Sequence, residues 1–394
     1  MKSKRELGIV IYGATGYTGR LVVEYFNRQY GVDGDISWAM AGRSLDKLIS
    51  VRDELGVDES VPLVVADAAD QQSLEAMVQR AAIILTTVGP YQLYGSELVA
   101  ACASSGTDYV DLCGEPVWMH QMINQHTQAA MESGARIIFS CGFDSIPFDM
   151  GVFFLQQTAI SRMAKTASRV KGRVRQMKGS FSGGTQASFT ATMAAAGRDP
   201  AVIEVLKDPF ALSNNHPGPE QPRGNQPFFD DALQSWVAPF VMASINTKNI
   251  HRSNFLLGHQ YGANFVYDEM FVTGPGDAGE KLARAMATGN ALGDKVLQPG
   301  EGPSKEERDN GGFDILMIGE ADDGGEVRIS VTGDCDPGYG STSKMVAESA
   351  ICLLRNADIV EGGIWTPAPA MGSLLIRRLR DFAGLTFVDE TLDS

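Results

Sequence analysis

Residues 9–26 read IVIYGATGYTGRLVVEYF: an apolar run stops on Gly13, further glycines follow at 16 and 19, and a helical pattern begins. A strand that turns into a helix this abruptly needs backbone positions without a Cβ. The first glycine permits the tight turn, the second lets backbone approach a pyrophosphate, and the third lets the helix pack close to the sheet. The helix N-terminus then offers unpaired N–H groups and a partial positive charge. Thr15 and Thr18 add hydroxyls beside it. The stretch Gly13, Ala14, Thr15, Gly16, Tyr17, Thr18 and Gly19 is therefore the expected cradle for a dinucleotide.

A glycine triplet alone is a weak signal, and its context decides. Short apolar runs recur at 8–12, 36–41, 62–66, 82–88, 108–112 and 135–140. Amphipathic patterns lie between them near 17–29, 44–55, 70–80, 91–105 and 116–132. Unalternating runs rich in Val and Ile, separated by helices, read as a parallel sheet covered on both faces. The first part of the chain is thus expected to be an α/β doubly wound Rossmann sheet.

The second strand ends at Ala41-Gly42, where an acid would hold the ribose of the unphosphorylated dinucleotide. Arg43 stands there instead, with Ser44 and Lys47 behind it. A guanidinium suits a 2′-phosphate through paired hydrogen bonds, so NADP(H) is the expected cofactor. Stacked on adenine instead, Arg43 would leave NAD open. Asp67 is placed to meet the adenine amino group, and Thr87, Gly89 and Pro90 fall where the nicotinamide half crosses the sheet edge.

After Asp149 the texture changes. Residues 168–189 read as a strand pair or a strand feeding a helix, and 265–274 and 313–334 as strands, the latter a hairpin turning near Asp323-Gly324-Gly325. Helical patterns sit near 275–292 and 341–356, and 298–312 reads as a solvated loop. Residues 198–235, rich in Pro, Asn, Gln and Gly, read as a lid, a dimer arm or disorder. The expectation is a second α+β domain on a mostly antiparallel sheet.

Composition closes several classes. Lys and Arg number 33 against 48 Asp and Glu, a formal charge of −15, which opposes nucleic-acid binding. The cysteines at 102, 113, 141, 335 and 352 form no paired spacing, so neither a zinc site nor a disulfide framework is expected. The histidines at 120, 126, 216, 251 and 259 form no ligand pattern, and no metal is expected. MKSKREL precedes too short an apolar run for a signal peptide, and no run reaches membrane-spanning length. The reading is a reduced, cytoplasmic chain.

No standard catalytic constellation is present. Tyr339 and Lys344 are five apart, not the Tyr-x-x-x-Lys of short-chain dehydrogenases, and belong to the second domain. Polar residues instead gather just past strands four to six: Tyr91 and Tyr94; Asp111, Cys113 and Glu115; and Ser140 through Ser145. Hydride transfer asks the protein mainly for orientation and a proton. Tyr91, Cys141, Asp144 and Glu115 are the candidate donors. Cys141 also reads as an inert buried thiol, Asp144 as a cap for the helix starting at Ser145, and Glu115 as a turn residue.

The stretches IYGATGYTG, AGR, VGPY, YVDLCGEP, GFDSIPFD and GGIWTPA together resemble the saccharopine dehydrogenase-like oxidoreductases. Within that family, Trp236, PFVMASIN (239–246) and HRSNFLLGHQYG (251–262) resemble the trans-acting enoyl reductases of bacterial polyketide lipid synthesis. The resemblance implies an NADP-binding domain over 1–145, a substrate or dimerisation domain over 146–360, and a C-terminal segment, 361–394, returning to the first. It implies reduction of a C=C or C=N bond of a small-molecule or acyl-carrier-bound substrate, and admits a homodimer. Arg252 stands alone in an apolar neighbourhood, which does not suit the two carboxylates of saccharopine; an acyl substrate suits it better. The competing reading is a nicotinamide-binding sensor or lipid-surface protein without turnover.

Overall fold

The computed structural model describes residues 5–32, 34–179, 183–214, 216–288 and 301–392. Its first six strands follow the runs expected from the sequence: β1 (Leu7–Tyr12), β2 (Trp38–Gly42), β3 (Leu63–Val65), β4 (Ala81–Thr86), β5 (Asp108–Val110) and β6 (Arg136–Ile138). Along β1, Ile9 and Ile11 join one core cluster while Val10 and Tyr12 join the other, on the opposite face. With both faces buried, neither set of alternate positions has reason to be polar. That is why the run does not alternate.

The second half supplies β7 (Arg169–Lys178), β8 (Phe228–Asp230), β9 (Ser235–Pro239), β10 (Val266–Gly274), β11 (Gly312–Glu320), β12 (Glu326–Gly333), β13 (Gly363–Trp365) and β14 (Leu385–Asp389). One sheet runs β13-β6-β5-β4-β1-β2-β3, parallel throughout, and reverses direction of growth between β1 and β4. The other runs β14-β12-β11-β7-β10-β9-β8 and is antiparallel except where β7 pairs β10. The architecture is a doubly wound α/β sheet joined to a mostly antiparallel α+β sheet.

Local differences from expectation have identifiable causes. The helix expected over 91–105 is two, Tyr91–Tyr94 and Ser96–Ser105. Between them Gly95 lies under the Trp118 ring, 2.7 Å from where a Cβ would stand. Within the irregular 198–235 stretch, Asp199 caps a helix, Pro200–Lys207, by accepting from Ala201 N. The expected loop at 298–312 holds a short helix, Lys305–Asp309, started by a Ser304/Glu307 capping box; its residues 298–300 lie outside the described residues, as do 289–292 of the expected helix and 180–182. β13 adds a seventh strand to the parallel sheet from the GGIW stretch.

The two halves share buried ionic ties. Glu348 is fully buried, accepts from Tyr25 OH (2.7 Å) and Tyr30 OH (2.6 Å), and pairs with Arg378 at 2.6 Å. Those tyrosines sit on and just after the helix that follows the glycine turn, and Arg378 on the C-terminal helix Pro367–Phe382. Arg136 at the start of β6 pairs with Asp108 at 2.5 Å and donates to the carbonyls of Leu353, Asn356 and Ala357. Each charge is compensated, as burial requires. Arg252 has no carboxylate partner among the described residues and donates to Leu212 O and Ile364 O.

Candidate functional site

A cavity of about 1150 Å³ opens where the carboxyl ends of all six leading strands face the second half of the chain. Single-ligand pockets run to roughly 300–1,000 Å³, so there is room for a dinucleotide and an acceptor together. Its floor is the glycine turn. Gly13 has φ +94°, and a Cβ there would lie 2.7 Å from Thr87 Oγ1. At Gly19 a Cβ would lie 2.0 Å from Gly13 O. At Gly16 it would meet only Gly13 O, at 3.4 Å, and would project toward open space. The turn and the helix packing thus exclude side chains at 13 and 19, while 16 leaves an approach.

The helix Tyr17–Gln29 makes its first backbone bond from Arg20 N to Gly16 O, and no side chain caps it. The N–H groups of Tyr17, Thr18 and Gly19 therefore have no partner within the helix, and all three residues line the cavity. This is the donor set and the dipole end that a diphosphate needs. Thr15, Thr87, Gly89 and Pro90 line it too; Ala14 is fully buried, its N–H spent on Ala41 O.

At the far end, Arg43 is exposed, lines the cavity and has no ion-pair partner among the described residues. Ser44 is differently employed, accepting from Lys47 N as the cap of the helix Leu45–Glu54. Neither Ser44 nor Lys47 is among the lining residues. Asp67 lines the cavity and accepts from Ala69 N at 3.0 Å.

The candidate proton donors separate by environment. Cys141 is fully buried, its thiol 3.8 Å from Ile138 O, outside the lining residues, and burial pushes it well above the usual thiol range. Tyr91 lines the cavity, but its hydroxyl donates to Thr86 O and accepts from Leu112 N, each at 3.3 Å. Glu115 is buried with its carboxylate spent on Tyr91 N (2.8 Å), Gln92 N (2.9 Å) and Ser188 Oγ (2.8 Å). Asp111 binds Tyr109 OH, Cys113 N and Ser140 N and so braces the ends of β5 and β6.

Asp144 differs from all of these. It is half-buried, lines the cavity and has no hydrogen-bond partner among the described residues. Burial alone raises its carboxyl to about 6. It does not cap the following helix, whose N-cap is Ser145, without a side-chain bond. Gly114 leaves it room, since a Cβ there would lie 3.1 Å from Asp144 Oδ2.

The opposite wall comes from the second half; Val241, Met242, Ser244 and Ile245 belong to the 239–246 stretch singled out in the sequence, and the rest was not anticipated. Tyr339, set aside as belonging to the wrong domain, lines the same cavity from the turn Pro337–Ser341, its ring 5.1 Å from that of Tyr17. Lys344 is turned to Asp334, at 3.2 Å. Met177, Phe189, Met193, Val241 and Met242 give this side its apolar surface, and Leu93 adds to it from the first half. Only the long sheet-to-sheet return of the chain brings these together, and no local pattern marks them. Among the described residues no group of three metal-ligating side chains converges, and no helix is long and apolar enough to cross a membrane.

Residues 9–138 match the family model of the saccharopine dehydrogenase NADP binding domain. Over nearly the whole length, the chain is 35% identical to a trans-acting enoyl reductase of Mycobacterium ulcerans, covering 96% of each chain. It is equally similar to a trans-acting enoyl reductase of Mycobacterium tuberculosis, again 35% identical with 96% of each covered. Among solved structures, apo saccharopine dehydrogenase (L-Glu forming) of Saccharomyces cerevisiae shares the fold, with TM-score 0.51, 12% identity and coverage of 98% of this chain and 100% of that one. Homospermidine synthase of Legionella pneumophila, solved with NAD, does so at TM-score 0.54 and 10% identity, over 99% and 92%. The glycine cradle is thus the floor of an NADP-binding domain, and the chain belongs to the saccharopine dehydrogenase-like oxidoreductase family, together with proteins named trans-acting enoyl reductases.

Proposed function

We propose that the protein is an NADPH-dependent reductase of the C=C bond of an apolar enoyl substrate carried as a thioester. One observation carries the reading: the phosphate cradle, a free protonatable carboxyl at Asp144 and an apolar wall share one cavity. NADPH, when bound, supplies the hydride. The chain's own residues do the rest. The N–H groups of residues 17–19 hold the diphosphate, and Arg43 holds the 2′-phosphate. Asp144, kept protonated into the mildly acidic range by burial, gives the proton that completes the saturated product. Tyr91 and Glu115 fix the loop between them. The apolar wall excludes water and seats the acyl chain.

The relatives' names support the carrier-bound acyl substrate. So does the use of Arg252 as a backbone brace, away from any pair of substrate carboxylates. The test is oxidation of NADPH by the purified protein with a panel of enoyl thioesters and imines, followed by nicotinamide absorbance. Turnover with enoyl thioesters is expected. Tight NADPH binding with no oxidation on any acceptor would overturn the reductase in favour of a nicotinamide-binding sensor.

A further inference from the structure

The apolar wall includes one helix that reaches across to the other half of the chain. The helix Gly183–Ala196 lines the cavity with Ala187, Ser188, Phe189, Thr192 and Met193. Its residues Ser188 and Thr192, one turn apart, both reach the other half. Ser188 Oγ donates to Glu115 Oε1 at 2.8 Å, and Gln92 Nε2 donates to Thr192 Oγ1 at 3.1 Å. Their neighbours Phe189 and Met193 line the cavity yet remain 47% and 53% exposed. Leu93, on the helix Tyr91–Tyr94 whose first N–H groups Glu115 holds, is 62% exposed on the same cavity. Large side chains left open together on one cavity offer an apolar surface whose burial by an apolar group is favourable.

Resting on the reductase reading, we propose that Phe189 and Met193 are the specificity-determining residues for the substrate's apolar group, and that Glu115 is the positioning residue that sets them against the cofactor loop. The carboxylate is built for this. It holds Tyr91 N and Gln92 N at the start of the helix Tyr91–Tyr94 and, with the same oxygen that takes Tyr91 N, the hydroxyl of Ser188. Movement of the wall is therefore transmitted to the segment after Gly89 and Pro90. Ser188→Ala cuts the link but leaves both backbone donors satisfied. Glu115→Gln has one acceptor oxygen in place of two and loses a backbone partner.

The experiment pairs a binding readout with kinetics on the full chain. Anilinonaphthalene sulfonate fluorescence is titrated on wild type and on Phe189→Ser/Met193→Ser, beside NADPH titration. The double variant is expected to lose at least about tenfold in dye affinity with NADPH affinity unchanged. In turnover, it raises KM for a hexadecenoyl thioester far more than for a crotonyl thioester. Ser188→Ala raises KM by about tenfold at near-constant kcat, Ser188→Thr restores it, and Glu115→Gln lowers kcat as well. Unchanged dye affinity in the double variant overturns the wall assignment. Equal KM changes for both chain lengths overturn the specificity role, and a Ser188→Ala enzyme like wild type overturns the link. If wild type fails to oxidise NADPH with every thioester tried, the reductase reading fails, while the dye titration still decides the wall.

Discussion

Asp144→Asn is expected to lower kcat by about 10²–10⁴ while leaving NADPH affinity intact and the fold more stable. The pairing of these effects identifies a functional carboxyl. Its ordinary value of 3.8 is raised to about 6 by burial, with no compensating hydrogen bond. The native state therefore binds a proton between pH 3.8 and 6 that the unfolded chain has already released. Stability from this group falls as pH rises through that window, and at neutral pH the buried charge is a net cost. A neutral amide recovers it, on the order of 1–3 kcal/mol. An Asp that served as a helix cap would show the opposite, losing stability on replacement. Because the proton must be on the acid to be given, kcat of wild type should decline above a break near 6, and this break should vanish in the variant. Rate against pH and urea unfolding, measured on both proteins, decide it. An Asp144→Asn enzyme with wild-type turnover removes Asp144 from the chemistry.

Gly19→Ala is expected to abolish measurable NADPH binding and to destabilise the first sheet by about 1–3 kcal/mol. The added Cβ would meet Gly13 O at 2.0 Å and Gly13 C at 2.7 Å, both backbone. No side-chain rotation relieves that contact, so the turn must open and the helix must leave the sheet. Gly16→Ala separates the two effects. Its Cβ has no close contact other than Gly13 O at 3.4 Å, so stability should change by less than about 0.5 kcal/mol. The methyl group nevertheless stands where backbone approaches the pyrophosphate, and NADPH affinity should fall by at least tenfold. Thermal unfolding and cofactor titration of the two variants distinguish a packing glycine from a binding glycine. Equal behaviour of both variants would mean that the cradle does not hold phosphate.

The parallel sheet was legible because its signals are local. The strands other than the edge strand β3 are buried on both faces, and the glycine turn, Arg43 and the 89–91 loop each follow a strand within a few residues. β13 was hidden by its length, three residues in a glycine-rich stretch. The helix Gly183–Ala196 was legible only as one of two alternatives for 168–189, since a run of Gly, Thr, Ser and Ala carries almost no amphipathic pattern. Cavity residues from the second half are far from the glycine turn in the chain, Tyr339 by some three hundred residues, and converge only through the tertiary fold. Among the candidate acids, residue type placed Tyr91, Cys141, Asp144 and Glu115 on an equal footing. What separates them is whether the polar atom already has a partner, and sequence does not carry that.

Titration of the purified protein with NADPH and with NADH, for wild type and Arg43→Ala, is the most direct measurement. Cofactor fluorescence reports binding without any need for the acceptor. Arg43 lines the cavity, is exposed and is free of ion pairs among the described residues. A preference for NADPH of at least tenfold, about 1.4 kcal/mol, lost in the variant with NADH affinity unchanged, is the predicted result. Equal affinity for the two cofactors in wild type, or a preference that survives Arg43→Ala, would contradict it.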